Sequence, residues 1–278
     1  MGWVVIVMFI GEIGINHNGD LRGCKRLIAS CKASGVDIVK FQKRNPDVCV
    51  PDNKKDILRE TPWGTMRYID YKKKIEFGKE EFDEIDKFCN QIGIEWTSSV
   101  WDIDSLEFIL NYDVPFIKIP SAMVTNKKLL RKIKSSDIPV IMSTGMSTKK
   151  EIKDAVDILS GCDLSILHCN SSYPCADEEI NLKTIQTLKK EFPNHTIGYS
   201  GHESGILPSV YARAAGADII ERHVTLDRNM WGTDQSSSLE PIQLKKLINR
   251  LWELDRIMGD GKIKVYDSEK EIKAKLRK

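Results

Sequence analysis

The chain has 278 residues, of which 41% are hydrophobic and 29% are charged. This length suits one large α/β barrel, which typically needs about 250 residues, or two smaller domains. The formal net charge of +2 gives no indication of a nucleic-acid-binding protein, whose domains are usually strongly basic. Seven cysteines without a Cys-x-x-Cys pair indicate reduced thiols in a cytoplasmic protein.

The chain opens on an apolar run, residues 3–10, that is too short to span a membrane and lacks a positively charged leader. We therefore predict no membrane segment here and interpret residues 4–15 as a buried first strand. Apolar residues at helical spacing predict a helix over residues 21–34, and Gly35 is expected to end it. A second strand is predicted over residues 36–42.

A long polar segment follows, from residue 43 to about residue 77, and it contains three X-Pro bonds. Loops of this length are uncommon unless they serve a function or are disordered. We therefore predict a lid or a substrate-binding loop.

The rest of the chain alternates regularly between strands and helices. The predicted strands are 93–98, 115–120, 138–143, 163–168, 195–200 and 217–224, and the predicted helices are 79–91, 103–111, 126–135, 148–159, 180–191, 206–215 and 241–257. Eight strands and eight helices favour a closed (β/α)8 TIM barrel over residues 1–260. The alternative, an open doubly wound sheet, lacks the Gly-x-Gly-x-x-Gly motif of dinucleotide-binding folds. Residues 261–278 are predicted to form a basic, solvated tail that ends in a helix and binds no nucleic acid.

Each predicted strand ends on a side chain that can take part in chemistry. These ends are Glu12, Lys40, Thr97, Lys118, Ser143, His168, Ser200 with His202, and Arg222 with His223. A parallel barrel brings the C-terminal ends of its strands to one rim, where enzymes of this fold keep their active sites. The pattern therefore predicts the lining of a pocket.

The last two strands place His202 and His223 on that rim, close enough to share one metal ion. Two neutral imidazoles with open positions suit a divalent ion such as Mn²⁺ or Zn²⁺, acting as a Lewis acid on a substrate oxygen. The alternative is that each histidine is only a hydrogen-bonded rim residue.

Lys40 and Lys118 follow strongly apolar residues, so their ammonium groups are expected to point into the barrel mouth. Together with the hydroxyl groups on the rim they form a cradle for a phosphate or a carboxylate. Those hydroxyl groups belong to Thr97, Ser121, Ser143, Thr144 and Ser200. The alternatives are structural ion pairs with Glu12 or Asp234 and a nucleophilic, Schiff-base lysine. Glu12 itself either moves a proton or serves as a structural partner.

Several motifs, taken together, resemble the sialic acid synthase family. They are EIGINHNG at 12–19, VKFQ at 39–42, KIPS at 118–121, STGM at 143–146, HC at 168–169 with YP at 173–174, GYSGH at 198–202, ERH at 221–223 and GTD at 232–234. They follow the family's order over residues 8–260. The resemblance therefore covers nearly the whole chain.

The resemblance implies a reaction, a cofactor and a set of site residues. Enzymes of this family condense phosphoenolpyruvate with the aldehyde of an open-chain sugar and give a 3-deoxy-2-keto acid and phosphate. It implies Mn²⁺ or Mg²⁺ on His202 and His223, and catalytic roles for Glu12, Lys40, Lys118, Tyr173 and Asp234. The residues it implies for substrate binding are Gln42, Thr97, Ser121, Met123, Ser143, Ser171 and Ser200.

Three departures from the family's pattern concern the acceptor sugar and the phosphoenolpyruvate site. Met123 stands where many members have an acid that meets sugar hydroxyls, and the family's polar residue after strand six aligns with Ser171, one position after Asn170. The family's C-terminal antifreeze-like domain, which donates an arginine to the acylamino group of the sugar, is absent from the sequence. An altered acceptor is the favoured explanation. The alternatives are that a separate chain supplies the domain or that the gene or the sequence is truncated. The expected protein partner is a second copy in a homodimer or such a separate chain.

The leading hypothesis is therefore a cytoplasmic, metal-dependent synthase whose substrates are phosphoenolpyruvate and an aldose. Two other hypotheses stay open. One is a metal-dependent barrel isomerase or hydrolase that uses His202 and His223 without phosphoenolpyruvate. The other is a catalytically silent barrel that binds a partner synthase.

Overall fold

The computed structural model describes residues 7–277, and it confirms the predicted barrel. Its strands are β1 Met8–Gly14, β2 Ile38–Lys43, β3 Glu95–Val100, β4 Ile117–Ile119, β5 Val140–Ser143, β6 Leu164–Cys169, β7 Thr196–Gly201 and β8 Ile219–His223. Each strand pairs in parallel with the next along the chain, and β8 pairs with β1 to close the barrel. Residues 4–6 of the predicted first strand lie outside the described residues.

Helices surround the barrel at the predicted positions. They are Leu21–Ser34, Lys79–Ile92, Ile103–Ile109, Lys127–Lys134, Lys149–Ile158, Lys183–Glu191, Leu207–Ala214 and Pro241–Met258. The first helix shows why the boundaries were predictable. The side chain of Asp20 accepts a hydrogen bond from the backbone N–H of Arg22, and Gly35 ends the helix with a φ of 92°, which favours glycine.

The barrel interior is apolar at its floor and polar at its mouth. Ile10, Ile38, Phe116, Ile141, Leu167 and Ile219 form a separate buried cluster inside the strands. Because side chains of a strand alternate between its two faces, residues two positions further along point inward again, one layer higher. Those residues are Glu12, Lys40, Lys118, Ser143, Cys169 and Glu221. The alternation therefore places charged groups directly above an apolar floor.

The segment between β2 and the helix at 79–92 is folded and not an irregular loop. It contains the helices Pro46–Cys49, Asp52–Lys55 and Tyr68–Ile75, and a hairpin of two two-residue strands, Leu58–Arg59 and Met66–Arg67. Tyr71 from this segment is fully buried, and its ring lies 5.1 Å from that of Trp231, in the loop after β8. This contact fastens the segment beside the barrel mouth.

The C-terminal part of the described chain ends in the exposed helix Asp267–Leu276. Its position agrees with the predicted helical end of the tail, and Lys278 lies outside the described residues. Within residues 7–277, no helix combines the length and the apolar character needed to cross a membrane.

Candidate active site

A cavity of about 180 Å³ lies at the C-terminal mouth of the barrel. It brings together most of the side chains that the sequence predicted for the site. These are Glu12, Lys40, Gln42, Lys118, Ser121, Ser143, Ser171, Tyr173, Ser200, His202 and His223. Nearly every strand of the barrel contributes at least one of them. The strand-end pattern therefore describes one continuous pocket.

Two lysines and two glutamates form a buried charge cluster at the base of this cavity. Lys40 Nζ lies 2.7 Å from Glu12 Oε2 and 3.8 Å from Glu221 Oε1, and Lys118 Nζ lies 3.4 Å from the same Glu221 oxygen. Each of these four side chains is at most 6% exposed. Burying four charges is costly unless they are paired and hydrogen-bonded, so their mutual contacts hold the cluster together.

Hydroxyl groups extend the cluster toward the mouth. Lys118 Nζ donates a hydrogen bond to Ser143 Oγ at 2.6 Å, and Ser200 Oγ donates to Glu221 Oε1 at 3.0 Å. Ser121 Oγ accepts a hydrogen bond from the backbone N–H of Gly145 at 3.0 Å. Ammonium and hydroxyl donors on one wall are the groups that bind phosphate or carboxylate oxygens.

The two carboxyl groups differ in their readiness to ionise. Burial opposes the ionisation of Glu221, but the charges of Lys118 and Lys40 outweigh it and lower its pKa to about 2. Burial raises the pKa of Glu12, and the charge of Glu221 adds to this effect against the opposing charge of Lys40. Glu221 is therefore the fixed anion of the cluster, and Glu12 is the carboxyl group more easily protonated.

The two lysines differ in the same way. Burial alone would lower the pKa of Lys40, but the charges of Glu12 and Glu221 outweigh it and raise that pKa. Burial lowers the pKa of Lys118, and the charge of Lys40 adds to this effect. The protein's carboxylates therefore stabilise the charge of Lys118 less than that of Lys40. A bound anion beside Lys118 would stabilise it further.

Buried polar atoms without partners also point to a missing ligand. Glu221 Oε2 and His223 Nδ1 are buried and form no hydrogen bond. Leaving such an atom unpaired costs about 1–3 kcal/mol. Both atoms belong to residues that line the cavity, so a bound cation, water or substrate would satisfy them.

The two histidines are adjacent and fit a cation as donors. Their ring centroids are 5.4 Å apart, and His202 Nδ1 lies 2.6 Å from the carbonyl oxygen of Asn170. If Nδ1 carries the proton for that contact, Nε2 is left as the electron-pair donor. Burial lowers the pKa of His223 to about 3, which keeps its imidazole neutral, as a metal ligand must be. Among residues 7–277, no three His, Cys, Asp or Glu side chains gather into a metal site.

Tyr173 covers the histidine pair. Its ring centroid is 4.0 Å from that of His202 and 5.7 Å from that of His223, and 44% of the residue remains exposed. It therefore forms the outer wall of the cavity, between the histidines and solvent.

Four of the predicted site residues do not line the cavity. One is Thr144, whose buried hydroxyl group donates to the carbonyl oxygen of Leu167. The hydroxyl group of Thr97 is buried and donates to the carbonyl oxygen of Phe116. Met123 packs against the core, and the preceding residue, Ala122, lines the wall in its place. Asp234 lies just outside the lining, although its charge acts on the pKa of His223.

The structure also places two other strand ends, His168 and Arg222, and the polar residues Asn170 and Ser171 that follow β6. His168 and Arg222 face the surrounding helices, where His168 Nε2 lies 2.6 Å from the carbonyl oxygen of Ile180 and Arg222 pairs with Glu203 at 2.7 Å. Ser171 lines the cavity, whereas Asn170 donates its side-chain N–H to a backbone carbonyl oxygen. Ser171, and not Asn170, is therefore the residue that reaches the cavity.

Glu221 is the central residue that sequence reasoning did not single out. It lies two positions before His223 on β8, and the period of two along a strand puts both on the inner face. That spacing is the signal that could have identified it. Trp101 and Cys169 also line the cavity and were not predicted.

Comparisons with known proteins agree with this site. A model of the NeuB family matches residues 27–263. The N,N′-diacetyllegionaminic acid synthase of Legionella pneumophila is 35% identical, over 97% of this chain and 78% of that protein. The human N-acetylneuraminate-9-phosphate synthase is 36% identical, over 97% of this chain and 76% of that protein.

A solved structure shows the same architecture. The crystal structure of N-acetylneuraminic acid (sialic acid) synthetase from Leptospira borgpetersenii serovar Hardjo-bovis, in complex with citrate, superimposes with a TM-score of 0.88 at 33% identity, over 98% of this chain and 93% of that one. The chain therefore belongs to the NeuB family, the sialic acid synthase family that its motifs predict, whose members are transferases that condense phosphoenolpyruvate with a sugar to give nonulosonic acids.

Proposed function

We propose that this site joins phosphoenolpyruvate to the aldehyde carbon of an open-chain aldose of the N-acetylmannosamine type or a related sugar. The C3 carbon of the enol attacks the aldehyde carbon, a C–C bond forms, and the aldehyde oxygen takes up a proton to become a hydroxyl group. Water then adds to C2 and loses a proton. The bond from C2 to the phosphate oxygen breaks, which releases inorganic phosphate and a sialic-acid-like 3-deoxy-2-keto acid.

One observation carries the proposal: two buried ammonium groups lie beside hydroxyl donors, directly next to a pair of histidines. We assign Lys40, Lys118, Ser121, Ser143, Ser171 and Ser200 to the phosphate and carboxylate groups of phosphoenolpyruvate. Donors held in place before the substrate arrives need no reorganisation when charge moves to the departing phosphate. Thr97 is left out of this set, because its hydroxyl group is already bonded to a carbonyl oxygen and does not line the cavity.

Charge balance assigns a role to Glu12. With Glu12 and Glu221 both ionised, their charges cancel those of Lys40 and Lys118, and an anionic substrate meets no net attraction. Protonation of Glu12, whose pKa is raised, leaves a net positive cluster. Glu12 therefore takes up a proton at Oε2 when phosphoenolpyruvate binds and holds it within reach of the reacting centre.

His202 and His223 would hold a divalent ion, Mn²⁺ or Mg²⁺, which when bound supplies Lewis-acid polarisation of the aldehyde oxygen. The fit rests on the unpartnered Nδ1 of His223 and on the contact that leaves Nε2 of His202 available. The ring of Tyr173 lies against His202 at a tilt of 35° and would keep water from that side of the pair.

The acceptor sugar is assigned to the open side of the cavity, between Tyr173, Gln42 and Asp234. Gln42 donates to Glu12 Oε1 at 3.0 Å, so a sugar hydroxyl bonded to Gln42 would also be held close to that carboxyl group. Met123 shapes this side only through Ala122, the neighbour that reaches the wall.

We further propose that the enzyme acts in the cytoplasm. Its seven cysteines are all unpaired, which suits a reducing compartment.

The decisive experiment mixes the protein with Mn²⁺, phosphoenolpyruvate and a panel of aldoses and measures inorganic phosphate. Phosphate release that depends on both the metal and one class of aldose is expected. Absence of aldose-dependent phosphate with every sugar and with both Mn²⁺ and Mg²⁺ would refute the proposal.

A binding measurement separates this function from a metal-dependent isomerase or hydrolase and from a silent barrel. Phosphoenolpyruvate alone is expected to raise the melting temperature, because it binds only the folded state. The rise should disappear in Lys118→Met. No rise in the unaltered protein would favour the other two functions.

A further inference from the structure

A second cavity, of about 140 Å³, lies beside the catalytic one under the folded segment 43–77. Its volume is well above the ~10–15 Å³ that one water molecule requires, so it can hold a group of several atoms. The cations of its lining are Arg44, Lys54 and Lys72, and the guanidinium group of Arg59 lies 6.0 Å from the ring centroid of Tyr68, which also lines the cavity. We call these four cations and the cavity the basic pocket.

None of the four cations has a carboxylate within 4.0 Å among residues 7–277. Three of them contact aromatic faces instead, and two of these three share one ring. Lys72 Nζ lies 5.3 Å from the ring centroid of Tyr71, and the Arg59 guanidinium lies 5.2 Å from it. Two cations on one ring repel each other, and the contact with the ring offsets this only in part.

The carboxylates nearest in sequence are occupied elsewhere. Glu76, the acidic residue of the lining, pairs with Lys43 at 2.8 Å, and Asp47 pairs with Lys73 at the same distance. Asp52 pairs with Lys55 at 2.7 Å. The positive charge of the basic pocket is therefore not balanced by these acidic side chains.

Arg44 gives an independent indication of a missing ligand. Its Nε is buried and has no hydrogen-bond partner, and its guanidinium group stacks on Trp101 at 3.7 Å from the ring centroid. A buried guanidinium N–H without an acceptor is costly, and an oxygen of an anion would satisfy it. Burial, with the charges of Arg44 and Arg59 adding, also lowers the pKa of Lys72 to about 8.

The basic pocket adjoins the catalytic cavity directly. Trp101 lines both, and the guanidinium group of Arg44 donates to the side-chain oxygen of Gln42, whose amide N–H in turn donates to Glu12. A substrate in the catalytic cavity that extends toward Gln42 therefore meets the cations of the basic pocket next.

We propose that the basic pocket binds a phosphate group carried by the acceptor aldose, so that the preferred acceptor is an aldose phosphate. This inference rests on the proposed function. A phosphate group has a charge of about −1.5 to −2 at pH 7 and three acceptor oxygens, which suits several converging cations better than a neutral hydroxyl does. Sequence similarity alone does not decide the matter. The chain is 36% identical to a human synthase named for a 9-phosphate product and 35% identical to a Legionella synthase whose name has no phosphate.

The test compares Lys72→Gln with the matched control Lys73→Gln. Both lysines belong to the helix Tyr68–Ile75, but Lys73 points to solvent, where it pairs with Asp47. Each protein receives phosphoenolpyruvate, Mn²⁺ and pairs of acceptors that differ only in a terminal phosphate, such as N-acetylmannosamine and its 6-phosphate, or mannose and its 6-phosphate.

We expect the unaltered protein to prefer the phosphorylated member of one pair by at least tenfold in kcat/KM. Lys72→Gln should raise the KM for that aldose phosphate about tenfold. The KM for phosphoenolpyruvate and the rate with the neutral aldose should stay within twofold. Lys73→Gln should match the unaltered protein in all three values. A purely structural role of Lys72 would instead change all substrates together.

Two results would overturn the proposal. One is an equal preference between phosphorylated and neutral acceptors in the unaltered protein and in Lys72→Gln. The other is a rise in melting temperature that inorganic phosphate causes, that Lys72→Gln abolishes and that no aldose phosphate causes. The pocket would then bind free phosphate and not the acceptor.

If no aldose is turned over at all, the binding measurement still decides. A rise in melting temperature with an aldose phosphate, present in Lys73→Gln and lost in Lys72→Gln, would support the pocket although the proposed reaction had failed. Its absence would refute the pocket as well.

Discussion

The barrel mouth and the basic pocket both collect positive charge, but they balance it in opposite ways. In the mouth, Lys40 and Lys118 lie 2.7–3.8 Å from Glu12 and Glu221, so the cluster is nearly neutral without a ligand. In the basic pocket, Arg44, Arg59 and Lys72 contact aromatic rings, and the one carboxylate of the lining, Glu76, is paired with Lys43. The two sites share one wall, Trp101.

The difference shows which kind of function each arrangement suits. The mouth must hold its donors in fixed positions through a reaction, and internal ion pairs supply that rigidity. The basic pocket has only to attract and orient one end of a substrate, and unbalanced charge does so at a cost to stability. Removing a charged group should therefore lower the free energy of unfolding if the group lies in the mouth, and raise it if the group lies in the basic pocket.

The largest effect is expected from His223→Ala in the mouth. Loss of one of the two proposed cation ligands should lower metal-dependent phosphate release at least ~10³-fold. The free energy of unfolding should fall by only about 1 kcal/mol, because His223 Nδ1 has no hydrogen bond to lose. Phosphate release and thermal melting are the two measurements. His168→Gln is the control, since His168 faces the helices, and its activity should stay within about tenfold. An unchanged rate in His223→Ala would refute the metal assignment.

Glu221→Gln should show how far the mouth depends on its internal charge balance. Removing one partner of a buried ion pair costs about 3–5 kcal/mol, so the unfolding free energy should fall by that amount. Phosphoenolpyruvate should restore part of this loss, because its negative charge replaces that of the carboxylate.

The control for this rescue is Glu203→Gln. Glu203 pairs with Arg222 at 2.7 Å, and both side chains are fully buried outside the barrel mouth. We expect Glu203→Gln to lower the free energy of unfolding by a comparable amount. Phosphoenolpyruvate should stabilise this variant no more than it stabilises the unaltered protein. Equal rescue of the two variants would mean that the ligand does not contact the cluster of the mouth.

In the basic pocket, Lys72→Gln should have the opposite effect and stabilise the fold. The lowered pKa of Lys72 means that its charge costs stability at pH 7, where the folded protein must keep it protonated beside Arg44 and Arg59. We expect the unfolding free energy to rise by about 0.5–1 kcal/mol without ligand. Lys73→Gln should lower it by up to about 1 kcal/mol, since an exposed ion pair is lost. Urea unfolding measures both, and a clear loss of stability in Lys72→Gln would show that the pocket is balanced after all.

The mouth could be predicted from the sequence because its residues follow a rule. Apolar runs that end in a polar residue mark the C-terminal ends of strands, and Lys40, Lys118 and His223, which end such runs, line the cavity. The rule fails in detail where a side chain bonds to the backbone, as Thr97 does with Phe116. Such a contact depends on the neighbouring strand and leaves no local signal.

The basic pocket could not be predicted in this way. Its cations come from a connecting stretch, a strand and two helices of the segment 43–77, in which no apolar period fixes the relative positions. Composition shows that the segment is basic, but not that Lys72 faces inward while Lys73 pairs with Asp47 at the surface. Tertiary contacts, above all the buried Tyr71 against Trp231, decide that difference.

The smallest expected effect, and the one most specific to the basic pocket, is a dependence on pH of the KM for the aldose phosphate. Lys72 has a pKa of about 8 in the free protein, so it loses its charge as pH rises through that value. The groups whose charges act on it are Arg44, Arg59, Asp234 and Glu76. Guanidinium groups stay charged at any pH used with proteins. Burial raises the pKa of Glu76, and the charge of its partner Lys43 opposes this effect.

Of the other ionisable groups in contact with the pocket, Tyr71 and Cys49 have pKa values that burial raises to about 12, so they do not titrate between pH 7 and pH 9. The phosphate group, with a second pKa of about 6, is already a dianion at pH 7. The KM for the aldose phosphate should therefore rise about fivefold to tenfold from pH 7 to pH 9. Lys72→Arg, which stays charged, should remove the rise, and the KM for a neutral aldose should not follow it. A rise of equal size in Lys72→Arg would assign the titration to another group and separate the basic pocket from the recognition of phosphate.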